Sequence, residues 1–177
     1  MSFQFTATFD PTPEQRAAIY SVNEQLEFSQ DLEENLAAAL SDYLKRASFK
    51  AKIGKFSPLY PSQTDVLIGG IGAGLATSSE AEIWGDALYK SMKSKPFNEA
   101  VLSAAEFEDE IIEGILLGAT LASYEFNSYF TKKEEESPSV NLIITGIDEA
   151  RFNRILAEVD AMADGVHLAR DLVYEPA

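Results

Sequence analysis

Two carboxylates four residues apart on a helix share one face, where they can bind a hard cation or pass a proton in acid–base work. The segment EFEDEIIE offers two such pairs, Glu106 with Glu110 and Asp109 with Glu113. Nothing basic or ligand-like accompanies them, and the helix dipole alone favours acidic residues in a first turn, so they read as a solvated helix start. His167 is the single histidine. A His-based metal site therefore cannot be built, and a Ser-His-Asp arrangement would rest on this one side chain. It sits between Val166 and Leu168 and reads as a surface or packing residue. Trp84, Tyr124, Phe126 and Tyr129 could line an aromatic cage, but they fall on or beside helical stripes, which makes core packing the simpler role.

The run VLIGGIGAGL, residues 66 to 75, places Gly69, Gly70, Gly72 and Gly74 at the end of an apolar strand. Glycine turns after a strand can present N–H groups to phosphate. The dinucleotide fingerprint needs glycines at relative positions one, three and six. From Gly70 the sixth position is Leu75; from Gly69 the third is Ile71; from Gly72 the sixth is Thr77. A Walker loop needs Gly-Lys-Ser/Thr, and no lysine occurs between Lys55 and Lys90. The run reads as a buried strand from Val66 to Ile71 and a turn that needs glycine. The alternative is a free-standing module that binds an ADP-ribose-like ligand at the Gly70 to Gly74 turn. No catalytic, cofactor-binding or metal-ligating residue is assigned on these grounds.

The elements that would position such groups follow from patterning. The chain has 177 residues, 46% hydrophobic, enough for one domain with a real core. Its net charge of −15 repels nucleic acid and anionic membranes, so neither is expected as a partner. The absence of cysteine excludes disulfides. The N-terminus lacks a secretory signal, no run reaches membrane-spanning length, and a cytoplasmic location is the default. Alternation at Phe3, Phe5, Ala7 and Phe9 predicts a strand broken by Asp-Pro-Thr-Pro at 10 to 13. Further strands are expected at Ala17 to Val22, at an edge around 49 to 53, at Asp65 to Ile71, at Ala100 to Ala104 and at Val140 to Thr145. Helical spacing predicts helices from Asp31 to Ala47, from a cap at Ser78 or Ser79 through Trp84 and Met92, from Glu106 to about Tyr129, and from Asp148 to Val173. Residues 131 to 139 read as a charged loop. Strands alternating with helices imply an α/β sheet flanked by helices on both faces.

Two stretches are more specific. EGILLGATLASYEFNSYFTKKEE (113 to 135) resembles a helix of the leucine aminopeptidase, or cytosol aminopeptidase, family that ends in Tyr-x-Phe-x-x-Tyr-x-Thr-Lys. Here Tyr124, Phe126, Tyr129, Thr131 and Lys132 all fall at the positions of that ending. DGVHLARDLVYEPA (164 to 177) resembles the segment that joins the family's N-terminal domain to its catalytic domain, through Gly165, Val166, Ala169, Arg170, Asp171, Leu172, Val173, Pro176 and Ala177. Tyr174 stands where the family usually has Asn. The resemblance spans residues 28 to 177 and implies a macro-domain-like mixed sheet at residues 1 to 147, with a long helix at 148 to 177 leading to a catalytic domain that this chain does not contain. It implies that this segment is non-catalytic and serves assembly or regulation. The full-length protein would be a hexameric aminopeptidase releasing N-terminal residues with two divalent metals (zinc, manganese or magnesium), held by residues outside this chain.

Overall fold

A strand covered on both faces shows a continuous apolar run, and this is how the central strands read: Arg16–Val22 (β2) and Asp65–Gly70 (β4) are buried along all but their first residue. In the computed structural model, which describes residues 1–6, 16–30, 32–59, 65–94, 99–124 and 140–174, they join Ser2–Phe5 (β1), Phe56–Leu59 (β3), Glu99–Ser103 (β5) and Asn141–Thr145 (β6) in one six-stranded sheet of order β1-β6-β5-β2-β4-β3. All neighbours are parallel except β3, which runs antiparallel to β4.

Alternate residues of the strands feed two cores. Ala18, Tyr20, Val22, Val66 and Ile68 face the helix Glu34–Arg46 (α1) through its Leu40 and Leu44. Ala17, Ile19, Leu67, Ala100, Leu102, Leu142 and Ile144 face the opposite side. There they meet Ser78–Lys93 (α2), Asp109–Ser123 (α3) and Glu149–Tyr174 (α4), through Trp84 and Leu88, Ile112 and Leu116, and Ile155 and Val159. The expected mixed sheet with helices on both faces and a long final helix is the fold observed.

On that second side α2 and α3 cross with their backbones almost in contact. A Cβ on Gly85 would lie 2.1 Å from the Ile115 carbonyl oxygen, and one on Gly118 would lie 2.1 Å from that of Glu82. Helix pairs usually sit 8–10 Å apart because side chains separate them. Here glycine removes the spacer on each helix in turn.

Helix α4 is then tied across the start of α3. Asp109 accepts hydrogen bonds of 2.5 Å from Arg151 Nε and 2.5 Å from Arg154 Nη2, and Arg151 also donates to the Phe107 carbonyl at 3.0 Å. The expectation that nothing basic accompanies these carboxylates is therefore corrected: the arginines arrive from α4, 42 and 45 residues away in sequence. Hydrogen bonds from Arg154 first, then Arg151, hold the Asp109 carboxyl below the ordinary carboxylate range. One turn on, Glu113 is pushed the other way, by burial first and then by Glu158 and Glu110.

Other boundaries also move. The edge strand lies at Phe56–Leu59, not around 49 to 53, because Gly54 turns at φ 76° and Pro58, which has no N–H to donate, suits an edge position. Thr77, not Ser78 or Ser79, caps α2: its side chain accepts from the Glu80 N–H at 3.3 Å, while Glu80 Oε2 accepts from the Ala76 N–H at 3.0 Å. Helix α3 starts at Asp109 rather than Glu106 and ends at Ser123, with Tyr124 already extended. The Asp-Pro-Thr-Pro break, Phe126, Tyr129, Thr131, Lys132 and the charged loop lie outside the described residues.

Two outcomes follow. Gly118→Ala should lower unfolding free energy by about 2–3 kcal/mol or more, since the added methyl meets main chain that cannot yield as a side chain would; urea titration of the pair reads it. A carboxyl whose folded pKa is raised contributes stability below its unfolded pKa of about 4.3 and loses it as pH rises through the folded value. Glu113→Gln should therefore raise Tm at pH 7 and lose that advantage near pH 4, and an unchanged difference at both pH values would contradict the assignment.

Candidate functional site

Each glycine of the turn after β4 has a packing or conformational reason. A Cβ at Gly69 would strike Phe56 at 2.5 Å and Trp84 at 2.7 Å, and one at Gly70 would strike the Ala51 backbone at 2.5 Å. Gly72 and Gly74 take positive φ, 64° and 145°. A phosphate cradle needs several N–H groups pointing into one concavity. Here Gly70 donates to the Lys55 carbonyl, Ile71 to Val22, Gly72 to Ala51 and Gly74 to Ile71, at 2.7 to 3.0 Å. Four amides of the turn are thus engaged by main chain, and the ADP-ribose alternative gains no support from this geometry.

The aromatic residues separate. Trp84 is fully buried and packs on Phe56, ring centroids 5.0 Å apart. Tyr124 stands at the far end of α3, where three residues on one face of α4 close on it. His167 stacks on its ring at 4.7 Å and 25°, Arg170 lies 5.5 Å from its centroid, and its hydroxyl donates to Asp171 Oδ1. Arg170 Nη1 also donates to the Leu121 carbonyl at 3.1 Å, one of the acceptors a helix end leaves open. His167 thus has a packing role, with Nε2 buried and without a hydrogen-bond partner among the described residues.

This clamp joins the two specific stretches of the sequence. Tyr124 belongs to the first, Arg170 and Asp171 to the second, and they form one contact across 47 residues. Sequence reading placed each motif but not their meeting. It also missed Arg151, Arg154 and Gly85, and took Gly118 only as part of the apolar face of α3; the Gly114 and Gly118 spacing was the available signal for a close helix crossing.

The clamp holds α4 by one side only. Its last turns, with Leu117 of α3, border an open groove of about 760 Å³ lined by Ala161, Met162, Gly165, Val166, Ala169, Val173 and one charged residue, Arg170. Leu168, Leu172 and Val173 are 61%, 64% and 79% exposed. Among the described residues no group of three or more His, Cys, Asp or Glu could hold a metal ion. The arrangement is mechanical: it fixes the direction in which α4 leaves the sheet and leaves an apolar face uncovered.

Comparison with known proteins gives the family. Residues 18–133 match the model of the cytosol aminopeptidase family, N-terminal domain. A probable cytosol aminopeptidase of Xanthobacter autotrophicus is 34% identical over 129 residues, covering 71% of this chain and 23% of its own length. One from Sulfurihydrogenibium sp. is 27% identical over 173 residues, covering 90% of this chain and 34% of its own. A tomato leucine aminopeptidase variant superposes with a TM-score of 0.76 at 20% identity, over 100% of this chain and 39% of that one. The chain thus spans about a quarter to two fifths of the proteins it resembles. With more than half of its residues matched by the family model, the chain belongs to the cytosol aminopeptidase family, as the family's N-terminal domain.

Proposed function

We propose that this chain is the non-catalytic N-terminal part of a two-metal aminopeptidase that releases N-terminal amino acids from peptides. The observation that carries the reading is the family match combined with relatives several times longer, all named as aminopeptidases. Catalysis is assigned to residues that follow position 177. Zinc, manganese or magnesium would be held there. One structural neighbour, with a TM-score of 0.63, is the bottromycin maturation enzyme BotP in complex with Mn. Two such ions can activate a water and polarise a peptide carbonyl, which suits amide hydrolysis; no residue of this chain takes part in that step.

Residues 1 to 147 then act in assembly or regulation, in a hexamer located in the cytoplasm, and residues 148 to 177 carry the chain to the catalytic part. The charge of −15 supports a role without nucleic acid, since phosphate contacts need lysine and arginine. No helix among the described residues is long and apolar enough to cross a membrane.

The full-length protein should hydrolyse leucine anilides and short peptides, lose that activity to a chelator and regain it with Mn²⁺ or Zn²⁺, while residues 1–177 show none. A metal-loaded full-length protein inert towards a panel of peptides would overturn the reading. Tyr124→Phe removes a hydrogen bond to a charged acceptor, a change of about 1.5–3 kcal/mol. Amide exchange across 163–174 should accelerate in that variant while exchange in β2 and β4 stays unchanged.

A further inference from the structure

We infer that the last three turns of α4 form an interface with the catalytic part of the same polypeptide, so that α4 is a packed joint and not a bare tether. The inference rests on the function proposed above and extends it to a specific surface. With roughly 100° between successive residues, Met162, Gly165, Leu168, Ala169, Leu172 and Val173 fall within an arc of about 140°. No ionisable residue lies within that arc: Asp164 and Asp171 flank it about 40° and 60° beyond Leu168, and Arg170, which borders the groove, stacks over Tyr124. The apolar face continues onto α3 through Leu117, which shares the groove. Exposed apolar side chains scattered singly are ordinary, whereas a contiguous row on one helix face is a surface suited to being covered by a neighbouring element.

The occupant follows from size and connection. The strip from Met162 to Val173 is about 17 Å long and one helix, about 10 Å, wide, on the order of 200 Å² in plan. A stable complex between separate molecules needs about 800 Å² per partner. The strip is too small to hold a second copy of this chain by itself. A tethered domain is different, because a short connection raises its effective concentration to the millimolar range and a small apolar contact then suffices. The relatives, of which this chain spans 23% to 34%, supply such a domain, and α4 runs to Tyr174, directly ahead of where it would begin.

The test uses the full-length protein. Leu168→Cys, Leu172→Cys and, as the exposed reference, Asp164→Cys are each reacted with a maleimide under native conditions, and labelling at each site is followed by peptide mass spectrometry. The chain up to position 177 has no cysteine of its own. Both leucine-site cysteines should react at least tenfold more slowly than the one at position 164, at every protein concentration. Equal rates at all three sites would remove the interface. Protection that disappears on dilution would assign the face to a second copy and overturn the choice of occupant. Peptidase assays on the same samples separate the two readings: a protected but inactive protein would remove the aminopeptidase function and keep the interface, and an active but unprotected one would do the reverse.

Discussion

The backbone contact between α2 and α3 is the constraint from which the rest of this side of the molecule follows. Gly85 and Gly118 each sit where any side chain would meet the main chain of the other helix. The close approach sinks α3 against the sheet, so Ile112, Ile115 and Leu116 are almost fully buried beside Trp84 and Leu88. With α3 fixed, both its ends are fixed. Asp109 is presented at one end and Tyr124 at the other, and α4 is captured by the two together. The direction of the long helix is thus set through two glycines that lie on α2 and α3 and not on α4 itself.

How much of this is legible in the sequence depends on how far apart the partners lie. The strands β2, β4, β5 and β6 are visible because burial on both faces writes a continuous apolar run into neighbouring residues. The glycine turn is legible as a turn because the phosphate fingerprints fail on spacing, although the clash of Gly69 with Trp84 and of Gly70 with Ala51 is not. The partners of Asp109 are hidden for the same reason. Arg151 and Arg154 are two among many charged residues on a polar helix face until tertiary packing brings them within hydrogen-bond distance. The edge strand is misplaced by local reading because Pro58 is ordinarily evidence against a strand, and only its position beside β4 at the sheet margin makes it acceptable.

Periodicity in α4 shows the same limit in one element. The apolar stripe Phe152, Ile155, Val159, Met162, Val166, Ala169 and Val173 advances by alternating steps of three and four, a mean of about 3.5, whereas the helix turns every 3.6 residues. The stripe therefore drifts by about 20° per heptad. Phe152, Ile155 and Val159 are buried, and Ala163 takes over as the core contact. Met162 is already 38% exposed and Val173 79%. A stripe read as one face in sequence is two faces in space: its first half belongs to the sheet, and its second half has rotated out of the domain's own core.

The rotation also explains why His167, Arg170 and Asp171 are the residues that meet Tyr124. As the apolar stripe leaves the core line, the positions replacing it on the inward side are 163, 167, 170 and 171, and α3 has by then ended, so what they meet is its open C-terminus. A helix end exposes carbonyls without intrahelical partners. An arginine donor to Leu121 and a ring stack on Tyr124 answer that end better than another leucine would, because aliphatic packing would bury the carbonyl unsatisfied. The Ala-Arg-Asp sequence in α4 and the tyrosine ending α3 are therefore two halves of one cap. Polar contacts are placed where α4 must grip the domain, and apolar residues where it turns away, which divides the helix by function along its circumference as well as along its length.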